Sequence, residues 1–467
     1  MKHKSSILFF FAICLLWAPL STAGGPYYNS ISGTVSHWDE LVIHPEVGSC
    51  GALSNADTII LLEQAILAWQ DLAEVDFNYT ITSDVVPDVD SSNFQAHLVT
   101  GLDIATDTTN ATNGINPIVF DDDGSITEAL MGTNGQFSFV GLTSINNFSD
   151  NDLAIISKGQ MILNCRCLET HPTLGSCNDV INGTEVSLTQ FKSVMVHEIG
   201  HFLNLGHSIA NEEFAADSNP DSLDLVSTMY PFVFESPTPF EVSQDDVVAM
   251  ASVYPTNNFT DDYCKVTGTL LDKEGGELHC ANVVATSSNP ADTVTFVTGT
   301  LNSSFDVSNE GVITATEDCT ENCGDFQLFL IPDTSYTLAI TLIDENFVNA
   351  SGVGPCVSAQ PENIVAKTPL ASITASSCTP GAIIDLGEIT TNSEAEGTTA
   401  APTTTDDETG SSGTDNTNQL AEDKTPKGCS LVLVTNHQAP LLPLLVMPFI
   451  LFVLRFKSMF VKLLDLM

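Results

Sequence analysis

The chain has 467 residues, of which 43% are hydrophobic and 15% are charged. A chain of this length is too long for a single hydrophobic core, and it predicts two globular domains with extensions. The formal net charge is −46, from 59 acidic and 13 basic residues. Such a chain repels nucleic acids and anionic membrane surfaces, so the composition excludes both as partners.

The N-terminus has the pattern of a secretory signal. Lys2 and Lys4 precede an apolar run from Ile7 to Leu16, and Ser21–Ala23 offers small residues for cleavage. A first transmembrane helix is the alternative, but the apolar run is short for a span. We therefore expect residues 1–23 to be removed and the protein to be secreted or displayed at the cell surface.

Residues 24–258 are predicted to form a mixed α/β (α+β) domain. Apolar residues at helical spacing predict helices over Asn55–Leu72, Leu188–Asn204 and Ser243–Val253. Ser243 precedes an acidic pair and is expected to cap the third helix. Strand-like segments lie at Trp38–His44, Phe77–Thr82, Asn116–Phe120 and Leu153–Leu163.

Beyond residue 258 the composition changes in three steps. Residues 259–391 contain short β-rich runs such as FQLFLI and YTLAITLI, which predict an all-β sandwich. Residues 392–428 are rich in Thr, Ser, Asp and Glu and predict an acidic linker. Residues 429–467 contain the apolar segment Ala439–Leu454 with Arg455 and Lys457 after it. This end predicts either a retained membrane anchor or a sorting segment that is removed, and it is the only expected membrane contact.

The cysteines predict a disulfide framework. Outside the signal and the C-terminal segment they fall into two even groups: Cys50, Cys165, Cys167 and Cys177, then Cys264, Cys280, Cys319, Cys323, Cys356 and Cys378. Even groups suit an oxidising compartment, and we expect pairing within each group. For Cys165 and Cys167, disulfides are favoured over metal binding.

The stretch HEIGHFLNLGH, from His197 to His207, carries the strongest chemical signal. On a helix, His197 and His201 project from one face a turn apart, so their imidazoles can bind one Zn²⁺. Glu198 lies beside that metal without pointing at it, which suits a general base acting on water. Three histidines and a glutamate at this spacing predict a catalytic zinc site.

The third histidine of this stretch requires a sharp turn. For His207 to reach the same ion, the helix must end and the chain must double back. Asn204 and Gly206 are the two residues there that tolerate a left-handed backbone, Gly at no steric cost and Asn at a small one. We expect Asn204 to serve where a glycine is usual.

HEIGHFLNLGH resembles the extended zinc-binding motif of the metzincin peptidases, H-E-x-x-H-x-x-G-x-x-H. STMYP, Ser227–Pro231, resembles their Met-turn, and with SQDDVVAMASVYP after it the chain is most similar to the matrixin branch. The likeness covers about residues 30–256. It implies a twisted mixed sheet and assigns roles to five residues. These are the zinc ligands His197, His201 and His207, the general base Glu198, and Met229 beneath the metal.

The resemblance implies a zinc metalloendopeptidase that cleaves extracellular proteins or peptides with zinc-activated water. It also implies that the strand at Ala154–Leu163 pairs with an extended substrate, and that Tyr230 and Pro231 shape a specificity pocket. Two matrixin features are missing, a PRCGxPD-like latency segment and the short His-x-Asp pattern of a structural zinc site. A non-catalytic adhesion or binding protein on the same scaffold is the alternative function, and a zinc hydrolase of other bonds is a third.

The stretch DDDGSITEAL, Asp121–Leu130, leaves two interpretations open. Asp121, Asp122 and Asp123 crowd one turn and suit a structural Ca²⁺, which the matrixin resemblance also implies. Alternatively, Asp-Gly makes a turn and Ser125 with Glu128 forms a capping box that opens a helix.

The predicted sandwich has a resemblance of its own. VTGTLLD, NVVATSS and GDFQLFLIPDTSYTLAI are similar to carboxypeptidase regulatory-like, or transthyretin-like, domains. None of these segments contains a catalytic pattern, so a spacer, a stabilising or a substrate-binding role is expected for this domain.

Overall fold

The structure of the chain is a computed structural model, which describes part of its residues. The described residues are 25–26, 28–29, 34–82, 87–98, 116–146, 155–169, 171–179, 185–215, 220–233, 236, 238–301, 305–307, 313–315, 322–341, 343, 367–391 and 430–433. The predicted signal, the linker and most of the C-terminal segment therefore lie outside them. The chain divides into a unit of residues 1–433 and a unit of residues 434–467, and every described residue belongs to the first.

One mixed sheet contains seven strands. They are β3 (Leu41–Pro45), β4 (Tyr79–Ile81), β5 (Pro117–Asp121), β6 (Phe139–Asn146), β7 (Lys158–Asn164), β8 (Phe232–Val233) and β18 (Ser430–Leu433). Their order across the sheet is β4-β3-β5-β7-β6-β18-β8. The strands β4, β3, β5 and β7 run parallel, and β6 pairs with β7 antiparallel. A separate antiparallel pair joins β1 (Tyr28–Asn29) to β2 (Thr34–Val35).

The helices of the described part vary in length. They are α1 (Asn55–Gln70), α2 (Ser125–Met131), α3 (Gly135–Ser138), α4 (Leu188–Phe202), α5 (Glu212–Ala215), α6 (Pro220–Leu223), α7 (Gln244–Val253) and α8 (Phe259–Asp262). Short 3-10 turns lie at Phe94–Ala96, Cys177–Asp179 and Pro290–Asp292. The three predicted long helices correspond to α1, α4 and α7, and the four predicted strands to β3, β4, β5 and β7. None of the described helices is long and apolar enough to cross a membrane.

Sequence-local caps start the long helices. Ser54 and Ser243 each accept a hydrogen bond from the backbone N–H three residues later, which begins α1 and α7. Ser187 and Gln190 form a reciprocal capping box at the start of α4. The cap at Ser243 is confirmed, whereas the one at Ser187 was not anticipated.

The core beneath the large sheet is built on two tryptophans. The indole N–H of Trp69, in α1, donates to the carbonyl of Val196 in α4 at 2.9 Å. The indole N–H of Trp38 donates to the carbonyl of Phe202 at 2.7 Å, and the two rings stack 5.7 Å apart. These buried bonds tie α4 to α1 and to the segment before β3, because a buried indole N–H needs a partner.

The second region consists of short strands. They are β9 (Cys264–Leu271), β10 (Asn282–Thr286), β11 (Val294–Val297), β12 (Phe305–Val307), β13 (Ile313–Ala315), β14 (Asp325–Leu330), β15 (Tyr336–Thr341), β16 (Lys367–Ile373) and β17 (Ile383–Thr390). They form the sheets β11-β10-β15-β16, β14-β9-β17 and β12-β13. The described chain is thus α+β, as predicted. Its main hydrophobic cluster contains residues from both sides of residue 258, so the predicted domain boundary there stays a prediction.

Disulfides brace both regions, as predicted. Cys50 bonds Cys165 and Cys167 bonds Cys177 in the first group, and Cys264 bonds Cys378 in the second. Cys280 and Cys323 are disulfide-bonded as well. Each pair whose two cysteines are described lies within one group, and the Cys165-Arg166-Cys167 stretch forms two disulfides instead of a metal site.

Candidate metal centre

Helix α4 carries the first two histidines of the candidate site. His197 and His201 are one turn apart, and their ring centroids lie 4.5 Å from each other. The backbone of α4 is packed tightly against the turn that carries Met229, since a Cβ on Gly200 would lie 2.4 Å from the Met229 sulfur. The sequence prediction that Met229 lies beneath the histidines is consistent with this contact.

The chain turns back after α4 at Asn204. This residue has φ +89°, so the predicted left-handed turn is confirmed at Asn204, whereas Gly206 does not adopt a positive φ. The Asn204 side chain donates to the carbonyl of Ser36 at 2.6 Å, and the N–H of Leu205 donates to the carbonyl of Gly200 at 2.9 Å. The asparagine therefore supplies both the backbone conformation and a tether that glycine lacks.

The turn brings His207 to the other two histidines. The His207 ring lies 5.2 Å from that of His197 and 4.7 Å from that of His201, between centroids. One ligand nitrogen from each ring lies within 4.8 Å of the others. All three rings are buried, with at most 3% of each residue exposed.

Backbone carbonyls set the tautomers of the two helical histidines. The Nδ1 of His197 donates to the Thr228 carbonyl at 2.8 Å, and the Nδ1 of His201 donates to the Leu205 carbonyl at 2.7 Å. Each Nε2 then keeps its lone pair and faces the other rings. Burial and the neighbouring His207 lower the pKa of His197 to about 3, and burial holds the pKa of His201 well below its usual value. These two imidazoles are therefore neutral, as metal ligands must be.

The donor atoms fit a metal ion. The Nε2 atoms of His201 and His207 are 3.1 Å apart. Two nitrogens that bind one tetrahedral Zn²⁺ at about 2.0–2.1 Å lie about 3.3 Å apart. Among the described residues, the Nε2 of His197 and the Oε1 of Glu198 have no hydrogen-bond partner although both are buried. Because orphaned buried acceptors are costly, the triad is a site that can hold a metal ion and is compatible with zinc.

Glu198 is held by strand β6. Its Oε2 accepts a hydrogen bond from the Thr143 hydroxyl at 2.5 Å. A Cβ on Gly141 would lie 2.2 Å from its Oε1, so only glycine allows the carboxylate to approach the strand this closely. Burial raises the pKa of Glu198 to about 8, and the bond from Thr143 opposes that shift. Sequence reasoning missed both β6 and Thr143.

Two buried aspartates of α7 support the turn below the site. Asp246 accepts hydrogen bonds from the Ser227 hydroxyl at 2.9 Å and from the Met229 N–H at 3.2 Å. Asp245 accepts from the Ser208 hydroxyl and, at 2.6 Å, from the Thr295 N–H in β11. The pair does lie in the first turn of a helix, as predicted, but it is buried. Its contacts join residues far apart in sequence, so no local pattern could reveal them.

A cavity of about 350 Å³ opens next to the triad. Its lining includes His197, Val194, Tyr230, Phe232 and Val242. The prediction named Tyr230 and Pro231 as wall residues; Tyr230 lines this cavity, whereas Pro231 does not. The predicted substrate-pairing strand at Ala154–Leu163 is wrong, because β7 is paired on both sides, with β5 and with β6. The strand nearest to Glu198 is β6.

The aspartate turn is occupied by internal hydrogen bonds. Asp121 accepts from the N–H of Thr127 at 2.7 Å and of Ile126 at 3.2 Å, Asp122 from Gly51 at 2.7 Å, and Asp123 from Ser125 at 2.9 Å. Within the described ranges, the ligand atoms of the three histidines lie close together, and those of the three aspartates do not form such a group. The predicted capping box is wrong, because the N-cap of α2 is Gly124 in the left-handed region and Glu128 accepts instead from the N–H of Asn134.

Comparisons with known proteins do not identify a family. No protein-family model matches the chain, and no curated protein matches it. Among solved structures, a 9R-lipoxygenase from Cyanothece PCC8801 is similar at 13% identity over 29% of this chain and 17% of that chain, with a TM-score of 0.14. A likeness this weak carries no structural or functional argument, so the function rests on the site itself.

Proposed function

We propose that this protein is an exported, matrixin-like zinc metalloendopeptidase that hydrolyses peptide bonds of extracellular proteins. One observation carries the proposal. Three buried imidazoles present metal-binding nitrogens to one point, and Glu198, next to His197, keeps its Oε1 without a hydrogen-bond partner among the described residues. A site built only for packing would leave these atoms paired.

The residues around the site suit peptide hydrolysis. When bound, zinc supplies a Lewis acid that polarises a carbonyl and acidifies a water. Thr143 holds the Oε2 of Glu198, which leaves Oε1 to take a proton from the attacking water and to pass it to the leaving amine. A positive charge beside the carboxylate would lower its pKa again, so Glu198 would be able to accept that proton.

The surroundings favour an extended peptide as the substrate. Strand β6 runs directly beside Glu198, and a peptide paired with this strand in place of β18 would pass the three histidines. The cavity next to His197 would take one side chain, with Tyr230 and Phe232 in its wall. We expect the sandwich region to stabilise the site, since Thr295 of β11 donates to Asp245, which also accepts from Ser208 next to His207.

The test is peptide-library cleavage by the purified protein, with and without a zinc chelator. Glu198→Gln should lower the turnover number by a factor of about 10²–10⁴ and leave zinc binding intact. Glu63→Gln, which changes an exposed glutamate of α1, is the matched control and should cleave like the parent. Absence of chelator-sensitive cleavage would favour the alternative of a non-catalytic binding protein.

A further inference from the structure

The strand beside Glu198 already has a partner from the far end of the chain. Strand β18 pairs with β6 antiparallel, with Ser430 opposite Leu142 and Leu431 opposite Gly141. Its other edge pairs with β8 in parallel, with Val432 opposite Phe232. The segment 430–433 therefore fills a slot between two strands.

That slot passes the candidate site. Gly141, opposite Leu431, is the residue whose absent Cβ makes room for the Glu198 carboxylate. Phe232, opposite Val432, lines the cavity that begins at His197. The backbone of residues 431–432 thus crosses from the proposed base toward the proposed specificity cavity, along the path that an extended substrate would take.

Two strands cannot use the same edge of β6. A strand edge presents a single row of N–H and C=O groups, so a peptide that adds to β6 must displace β18. The sequence CSLVLV at 429–434 carries no charge in a chain of net charge −46, and Leu and Val suit a strand. Because the segment belongs to the same chain, its effective concentration at the slot is on the order of mM.

We propose that residues 430–433 are an intramolecular competitive inhibitor, bound along β6 in the position of the substrate. This inference rests on the proposed peptidase function and explains how the peptidase activity would be regulated. It also indicates the ligand class of the slot, an extended uncharged segment rich in Leu and Val. The sequence contains no PRCGxPD-like latency segment, so residues 430–433 would inhibit the site by a different contact.

Proline substitutions in the full-length protein test the pairing. Proline lacks an N–H and disrupts a paired strand, and neighbouring residues donate to opposite sides of a strand. Leu431→Pro and Val432→Pro should therefore weaken different edges of β18. Leu420→Pro, in the predicted linker, is the matched control.

Hydrogen–deuterium exchange is the readout that does not depend on activity. Exchange is measured in the Glu198→Gln background, so that the segment is not cut. Within residues 139–146, the amides that face β18 should exchange about tenfold faster with proline at 431 or 432 than in the control, whereas the amides that face β7 should not. Unchanged protection in both variants would overturn the inference.

Peptide turnover is the second readout, with zinc-loaded protein that keeps Glu198. The KM for a cleaved peptide should fall about tenfold in Leu431→Pro and Val432→Pro at an unchanged kcat. A synthetic peptide of residues 428–434 should restore inhibition, and the same peptide with proline at 432 should not. Chelator-sensitive cleavage with the same KM in all variants would refute the inhibitor and leave the peptidase standing. No cleavage by any variant would refute the peptidase, whereas exchange would still report the pairing.

Discussion

The triad of His197, His201 and His207 and the turn at Asp121–Asp123 both contain groups that metal ions bind, yet they use their donor atoms differently. In the triad, the Nδ1 atoms of the two helical histidines bond to carbonyls and the Nε2 atoms face one another. In the turn, each aspartate accepts at least one backbone N–H from its own surroundings.

The difference shows what distinguishes a metal site from a folding motif. Buried lone pairs that lack partners and converge leave a place for an ion, because a bound cation compensates their desolvation. Carboxylates that accept backbone N–H groups already serve a structural purpose, here the start of α2. The number of ligand-type residues in a stretch of sequence does not distinguish a metal site from a folding motif. What distinguishes them is whether the lone pairs of those residues already accept hydrogen bonds within the protein.

The largest expected effect concerns zinc affinity. His201→Ala removes one of three converging ligands and should weaken zinc binding by more than the factor of about 100 seen when outer-shell partners are lost. Zinc content after dialysis against a competing chelator measures this loss. His97→Ala, which changes a histidine outside the triad, should retain the metal of the parent, and equal zinc content in both variants would remove the basis of the site.

The next effect tests the aspartate turn. Asp121→Ala leaves two buried N–H groups of α2 without their acceptor and should lower the free energy of unfolding by about 2–4 kcal/mol. Urea denaturation measures the change, with exposed Asp123→Ala as the milder comparison. Addition of Ca²⁺ should not raise the melting temperature of the parent; a rise that disappears in Asp121→Ala would restore the calcium interpretation.

A smaller effect is expected at the turn after α4. Asn204→Val places a β-branched residue at φ +89°, which should cost about 1–3 kcal/mol and misplace His207. Asn204→Gly keeps the turn and loses the bond to Ser36, at a cost of about 1 kcal/mol. Denaturation and zinc titration together measure both. Full zinc affinity in the valine variant would show that the triad does not depend on this left-handed turn.

A pH dependence of stability is also expected next to the aspartate turn. Burial raises the pKa of Glu46 from 4.5 to about 8, and Asp88 and Asp121 add to the rise. Below about pH 4.5 the carboxyl is protonated in both the folded and the unfolded chain. Between about pH 4.5 and 8 only the unfolded chain releases the proton, so stability falls with rising pH, by at most about 1.4 kcal/mol per pH unit.

Glu46→Gln checks this dependence. Its amide cannot accept from both the Val89 and the Phe120 N–H as the carboxyl does, so the variant should be less stable at low pH. Its stability should nevertheless change less between pH 5 and 8 than that of the parent. Parallel stability curves for the two proteins would show that Glu46 is not the titrating group.

Much of the local structure follows from the sequence. The three long helices were predicted to within about two residues at each end, since apolar periodicity and serine caps act over one or two turns. The left-handed turn at Asn204 was predicted because asparagine tolerates a positive φ at a small steric cost. The predicted capping box at Ser125 is absent, because the Ser125 N–H donates to Asp123 and the Glu128 N–H donates to the Gly124 carbonyl.

The amino-acid sequence by itself determined the helix α4, the spacing that puts His197 and His201 on one face, and the turn that returns His207. These depend on neighbours within a few residues, where backbone geometry and residue type suffice. Only the tertiary structure decided that Thr143 holds Glu198, that Asp246 supports Met229, and that residues 430–433 lie along β6. Those contacts join residues from 17 to about 290 positions apart, and their energy comes from burial and strand pairing that no local pattern encodes.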